Sequence, residues 1–333
     1  MGQVRRRQFL IAVGAFVGAP LAPSKAAAQT PQKVYRVAHL STAGRTPDGA
    51  APRALRMSLQ RLAYVEGRNV VYEARFAEGK VDRLPALAAE LVALKADVIV
   101  AQGRPAVVAA QQATSIIPIV IAPASSDAVS TGLIASLARP GGNVTGLSDE
   151  LEQLSAKRMQ LLKEAVPKAA RIAVIWNVND PGMQRRYSAI ENAARVLRLE
   201  VESHALRSPD DFDVAFTAMT ARRPDALFLV TDALTNMNQK RVVEFSATQR
   251  VPAMYESNVV VHQGGLLSYG PTGEDMFGRA AHFIDRIFRG AKPADLPAEQ
   301  PTRYNLSVNL KTAASLGLTI PQSVLIRADE VIQ

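Results

Sequence analysis

Six short polar stretches hold the side chains of this 333-residue chain that could do chemistry, and each follows an apolar run. Ser41 and Thr42 follow "YRVAHL", Gly103 and Arg104 follow "DVIVAQ", and Ser125, Ser126 and Asp127 come at the end of "IPIVIAPA". Later in the chain Asn177, Asn179 and Asp180 follow "IAVIW", Thr231 and Asp232 follow "ALFLV", and Tyr255 and Glu256 follow "VPAM". The chemistry such residues offer is recognition. Serine hydroxyls and free helix N–H groups take a carboxylate, a guanidinium such as Arg104 clamps one bidentately, and Asp232 or Glu256 takes an ammonium. Each residue alone also reads as a helix cap or turn former. Recurrence over six loops points to one shared cleft for a zwitterionic or small polar ligand.

Signatures of bond-making chemistry are missing. No G-x-G-x-x-G follows the first apolar run, where "HLSTAGRTPDG" stands, and no G-x-x-x-x-G-K-[ST] occurs, so nucleotide cofactors lack their phosphate cradle. No G-x-S-x-G elbow is present, because "GGLLSYG" has the wrong spacing. His39, His204, His262 and His282 lie on separate segments without an i,i+4 pair, which argues against a metal site. No catalytic residue, metal or cofactor is therefore expected. His39 stands closest to a candidate loop, and an exported α/β hydrolase would need it to meet Ser41, Ser125 or Ser126.

The elements that must position these loops follow from hydrophobic periodicity. Short β-branched runs predict strands at Tyr35–Leu40, Asn69–Phe76, Asp97–Ala101, Ile117–Ala122 and Val144–Leu147, then at Ile172–Trp176, Glu200–Ala205, Ala226–Val230, Ala253–Tyr255 and Gly265–Tyr269. Apolar residues spaced three and four apart predict helices at Ala51–Leu62, Leu84–Leu94, Asp149–Ala165, Pro181–Leu197, Pro209–Ala221, Leu234–Gln249 and Gly273–Arg289. Leu84, Leu87, Leu91 and Leu94 form one such buried stripe. Alternation of this kind specifies an α/β fold with two doubly wound, Rossmann-like lobes in succession. In such sheets ligands bind beyond the carboxyl ends of the strands, where all six stretches fall. Pro140-Gly141-Gly142 punctuates the end of the first lobe. The prolines of "GAKPADLPAEQPTRY" favour an extended connection before a strand at Tyr304–Leu310 and a short helix at Lys311–Leu316. Trp176 reads either as core or as an apolar wall of the cleft.

The first 28 residues have the layout of an export signal. Arg5-Arg6-Arg7 precede an apolar run from Phe9 to Ala22, and Ala26-Ala27-Ala28 meets the small-residue rule for cleavage before Gln29. Paired arginines followed by Phe-Leu fit the twin-arginine type. Cleavage would remove Arg5, Arg6, Arg7 and Lys25, lowering the formal charge from +9 to +5 over 305 residues. The remaining basic residues are interleaved with acids, so nucleic acid is not an expected partner. Without cysteine, neither a disulfide framework nor a lipid-anchored N-terminal cysteine is possible.

Longer phrases add a resemblance. "YVEGRNVVYEARFAEGKVDRLPALAAELV", "SLARPGGNVTG", "KRMQLLKEAVPKAARIAVIWN", "GAKPADLPAEQPTRYNLSVNLKTAASLGLTIP" and "RADEVI" resemble the solute-binding proteins of ABC transporters, in the group that includes aromatic amino-acid binding proteins. The resemblance implies a type I periplasmic binding fold, with lobes at 34–147 plus 271–304 and 148–270 plus 305–333. It places hinge crossings near Thr145–Ser148, Tyr269–Pro271 and Asn305–Asn309. It also implies a monomer in the periplasm that closes on a small molecule, serves an inner-membrane permease and catalyses nothing. A sensory module read by a membrane receptor would use the same fold. The chain departs from the group at Ser126-Asp127-Ala128, where Gly-Asp-Pro is common, at "YESNVVVHQGG", where Tyr-Glu-Trp-Arg is commoner, and at Ala63, where glycine is usual.

Overall fold

A computed structural model describes residues 33–45, 51–122, 127–148 and 151–333. The signal-like segment, Ser125 and Ser126 lie outside the described residues. The first lobe runs β1 (Tyr35–Ser41), α1 (Arg53–Arg61), β2 (Val70–Phe76), α2 (Leu84–Ala93), β3 (Val98–Gln102), α3 (Arg104–Ala113), β4 (Ile119–Ile121) and β5 (Val144–Gly146). Its sheet is wholly parallel in the order β2-β1-β3-β4-β5. The second lobe begins with α4 (Leu151–Ala165), β6 (Arg171–Asn177), α5 (Pro181–Val196), β7 (Glu200–Leu206), α6 (Asp211–Ala221) and β8 (Ala226–Leu229). It continues with α7 (Ala233–Met237), α8 (Gln239–Gln249), β9 (Ala253–Tyr255), α9 (Asn258–His262) and β10 (Leu267–Gly270). The chain then forms α10 (Gly273–Phe288), β11 (Asn305–Asn309), α11 (Leu310–Ser315), α12 (Gln322–Leu325) and β12 (Glu330–Ile332). The second sheet has the order β12-β11-β10-β9-β8-β6-β7, in which only β10 and β11 run antiparallel.

Apolar side chains on both faces of each sheet explain why helices cover both. In the first lobe Leu40, Ile99 and Ile121 pack on Leu84, Leu87 and Leu91 of α2 and Val107 of α3. From the opposite face Val37, Val98 and Val100 pack on Leu55 and Leu59 of α1 and on Phe277, Ala280 and Ile284 of α10. Burying side chains of this size contributes about 1.5–3 kcal/mol each. Thus α10, which follows the second lobe's β10 in sequence, belongs by packing to the first lobe. The second sheet is sandwiched likewise, with Val174 and Trp176 against Met183 and Ile190 of α5 on one face. Ile175 and Leu229 meet Phe212 of α6 and Val242 of α8 on the other.

The chain passes between the sheets after β5, after β10 and before β11. Two of these passages are bonded side by side, through Ser148 N–H to Glu299 O at 2.9 Å and Glu299 N–H to Gly146 O at 2.9 Å. Gly270, at the end of β10, admits no side chain, because a Cβ there would lie 2.1 Å from the Glu256 carbonyl oxygen.

Differences from the periodicity reading are local. The single helix expected over Leu234–Gln249 is two, because Asn238 bonds the Leu234 carbonyl oxygen through Nδ2 at 2.9 Å and adopts a non-helical ψ of 8°. Helices α3, α9 and α12 and strand β12 were not anticipated; three of the four are five residues or shorter, below the length at which a period shows. Trp176 is core, stacked on Tyr187 at 4.5 Å and donating from Nε1 to Ser203 Oγ at 2.9 Å. Ala63 adopts φ 69°, the left-handed conformation that makes glycine the natural occupant there.

Candidate functional site

Both sheets reverse their strand order beside β1 and β3 in the first lobe and beside β6 and β8 in the second. Such reversals splay the following helices apart and leave a crevice at the carboxyl edge. The two crevices open into one cleft of about 1070 Å3. Thr42, Gly103 and Arg104 line it from the first lobe, and Asn177, Asn179, Asp180, Thr231, Asp232 and Glu256 from the second.

Local geometry fixes each of these. Gly103 has φ 85°, and a Cβ there would meet Thr42 Oγ1 at 2.6 Å, so the turn into α3 requires glycine. It delivers Arg104 to the first position of that helix. Asp180 caps α5 by accepting the Gly182 N–H at 2.7 Å, and Asn177 Oδ1 accepts the Asn179 N–H at 2.9 Å. Asp232 caps α7, where Oδ1 accepts the Thr235 N–H at 2.9 Å and Oδ2 accepts from Asn177 Nδ2 at 2.5 Å. Asp232 is 8% exposed, and burial pushes its carboxyl above the usual range, opposed by the Thr235 and Asn177 hydrogen bonds. All of the partners just named are neutral.

Glu256 is held differently. Its Oε1 pairs with Arg158 Nη1 at 3.2 Å and with Arg186 Nη2, and its Oε2 accepts the Thr231 N–H at 3.3 Å. Arg186 Nη1 donates to Thr231 O at 2.8 Å, while Arg158 Nε donates to Tyr269 O at 2.6 Å. Arg158 and Arg186 are 0% and 2% exposed. A carboxylate buried between two guanidiniums is already compensated, so its function here is to brace the β8, β9 and β10 ends against α4 and α5. Of the two carboxylates expected to suit an ammonium, Glu256 is the one held by guanidiniums, whereas Asp232 is hydrogen-bonded to Thr235 and Asn177.

Three other candidates stand back from the cleft. Ser41 is buried, accepting the Ala43 N–H at 3.1 Å and donating to Gln102 Oε1 at 3.2 Å. His39 Nε2 bonds the same Gln102 oxygen at 3.2 Å, so the two side chains meet Gln102. Asp127 closes a turn by accepting the Val129 N–H at 2.8 Å and the Ser130 N–H at 3.2 Å. Tyr255 sits in the second lobe's core, and burial pushes its hydroxyl pKa up. Among the described residues no group of His, Asp and Glu side chains is arranged to hold a metal ion.

Two residues absent from the loop reading stand at the cleft, Arg158 lining it and Arg186 behind it on Glu256. Arg158 stands four residues after Leu154 and four before Leu162, and Arg186 stands between Met183 and Ile190, each within its helix's buried stripe. An arginine in an apolar register is the signal that marks such residues. Apolar side chains line much of the remaining wall, including Leu84, Pro85, Val108, Met183, Leu234 and Phe277.

Known proteins share this architecture. A conserved domain protein from Vibrio cholerae is similar with a TM-score of 0.82 and 25% identity, over 90% of this chain and 100% of that one. The ABC domain from Streptococcus pneumonia in complex with L-Trp is similar with a TM-score of 0.80 and 26% identity, over 89% of this chain and 100% of that one. A tyrosine-binding protein from Clostridioides difficile is 26% identical over 261 residues, 78% of this chain and 74% of that protein. Two mostly parallel sheets whose switch points face one cleft are the architecture of type I periplasmic binding proteins, and the family model described as ABC transporter substrate binding protein matches residues 50–332; the chain belongs to that family.

Proposed function

We propose that this protein captures an amino acid, or a closely related zwitterion with an apolar body, and delivers it to an inner-membrane ABC permease. The observation that carries this reading is the charge inventory of the cleft. Among the described residues, and apart from the internally paired Arg158 and Glu256, Lys80, Arg104 and Arg207 line it with Asp82, Asp180 and Asp232, three charges of each sign. Such a lining suits a ligand with no net charge and two charged ends. With Glu256 compensated by arginines, the buried Asp232 carboxylate is the group suited to an ammonium, and Arg104 to a carboxylate. Apolar residues such as Phe277 and Leu234 suit the rest of the ligand. The names of the relatives, one bound to L-Trp and one tyrosine-binding, support the same class.

In this reading the protein acts as a monomer in the periplasm, without catalysis and without nucleic acid, after twin-arginine export and cleavage before Gln29. No helix among the described residues is long and apolar enough to cross a membrane. The lobes 34–147 plus 271–304 and 148–270 plus 305–333 turn about the three connecting segments, and a ligand touching both favours the closed form. Titration calorimetry of the mature protein with the L-amino acids, and with neutral sugars as controls, tests the reading. Binding of at least one amino acid is expected, weakened about 100-fold or more by Asp232→Asn, since an ammonium then meets a neutral amide in a buried site. Folded protein that binds sugars and no amino acid would overturn it.

A further inference from the structure

One polar side chain on the first lobe's wall of the cleft has its orientation set from behind. Gln102 ends β3 and lines the cleft. In the parallel register Ser41 lies beside Gln102 and His39 beside Val100, so His39, Ser41 and Gln102 project from one face of the sheet. His39 Nε2 and Ser41 Oγ both lie 3.2 Å from Gln102 Oε1. Ser41 Oγ already accepts the Ala43 N–H, which leaves its own proton for Gln102. His39 is wholly buried beside Phe76 and Phe277, and burial pushes its pKa down to about 4, so the neutral ring has one N–H to give.

Only one orientation of the carboxamide uses that N–H. With Oε1 turned inward it accepts from both His39 and Ser41, and the leftover buried atom is the bare lone pair of His39 Nδ1. With the carboxamide reversed, His39 would bury an unpaired Nδ1–H, and an orphaned buried donor is the rarer and costlier defect. The carboxamide nitrogen, with two N–H groups, is thereby left for the cleft, where no side chain among the described residues engages it. Two residues on, Arg104 lines the same wall, and its buried Nε has no partner.

We infer that Gln102 is a specificity-determining ligand contact, an obligate donor that together with Arg104 reads the carboxylate end of the ligand, with His39 and Ser41 as its positioning residues. The inference rests on the amino-acid reading above. It makes the cleft prefer a free carboxylate over its carboxamide, since an amide N–H meets the donors of Gln102 and Arg104 unfavourably.

The test compares L-tyrosine and L-tryptophan with their carboxamides by calorimetry, on wild type, Gln102→Glu and Gln102→Met, with thermal melts confirming that each variant folds. Wild type should prefer the acid. Gln102→Met should weaken the acid about 10- to 100-fold, the loss of one hydrogen bond to a charged group. Gln102→Glu should erase or reverse the preference, because its carboxylate repels the acid and accepts from the amide. His39→Phe should reduce the preference without altering any group that touches ligand, since Gln102 can then turn over. Wild type that binds neither amino acid overturns the choice of ligand class. Wild type that binds them, with folded Gln102 variants keeping both affinity and preference, overturns the assignment of Gln102 alone.

Discussion

Replacing His39 should abolish a pH-dependence of stability that the wild type carries between about pH 6.5 and pH 4. The ring is wholly buried, and its pKa falls from 6.5 to about 4 because desolvation of the charged form outweighs the Gln102 hydrogen bond. The folded state therefore binds fewer protons than the unfolded chain within that window, and stability rises with pH across it. The contribution is fully present near neutrality and is lost as pH falls toward 4. At about 1.4 kcal/mol per unit, the shift amounts to about 3 kcal/mol. His39→Gln keeps a donor near Gln102 and removes the titration. It should cost stability at pH 7 through lost packing on Phe76 and Phe277, and that cost should shrink by about 3 kcal/mol by pH 4. Urea unfolding of both proteins over this range measures the difference, in which the titration of every other group, including the lowered His204, cancels. Parallel stability curves would refute the reasoning, because they would mean that His39 titrates alike in the folded and unfolded chains.

Two further outcomes follow from close packing beneath the cleft. Glu256→Gln leaves Arg158 and Arg186 buried with one compensating carboxylate fewer, and should cost about 3–5 kcal/mol in urea unfolding; replacing Arg186 by Met in the same chain should recover part of that loss. Gly270→Ala would drive a Cβ to 2.1 Å from the Glu256 carbonyl oxygen, so the end of β10 must shift, at a cost of about 1–3 kcal/mol or more, read as a lowered thermal midpoint.

Much of the fold was legible because its signals are local. The stripe of Leu84, Leu87, Leu91 and Leu94 needs only the helical period to be recognised; the structure buries the first three and leaves Leu94, at the C-terminal cap of α2, half-buried. The candidate loops were legible for a similar reason, since a polar residue after an apolar strand in an α/β sheet falls at its carboxyl edge. What stayed hidden was the choice between capping and ligand contact. Asp127 and Asp232 look alike in sequence, each following a strand and preceding a turn. One closes a turn away from the cleft, whereas the other caps α7 within it.

The alternation of strands and helices, the two-lobed class and the family can be read along the chain, because period, turn chemistry and family phrases are written over neighbouring residues. Which charges are spent on the protein itself emerges only once the sheets and helices are packed. Glu256 meets Arg158 and Arg186, 98 and 70 residues away along the chain, and Gln102 is oriented by a histidine 63 residues before it. Pairing of buried charges and donors depends on which side chains the packed sheets and helices bring within hydrogen-bond reach, a distance that no spacing along the chain encodes.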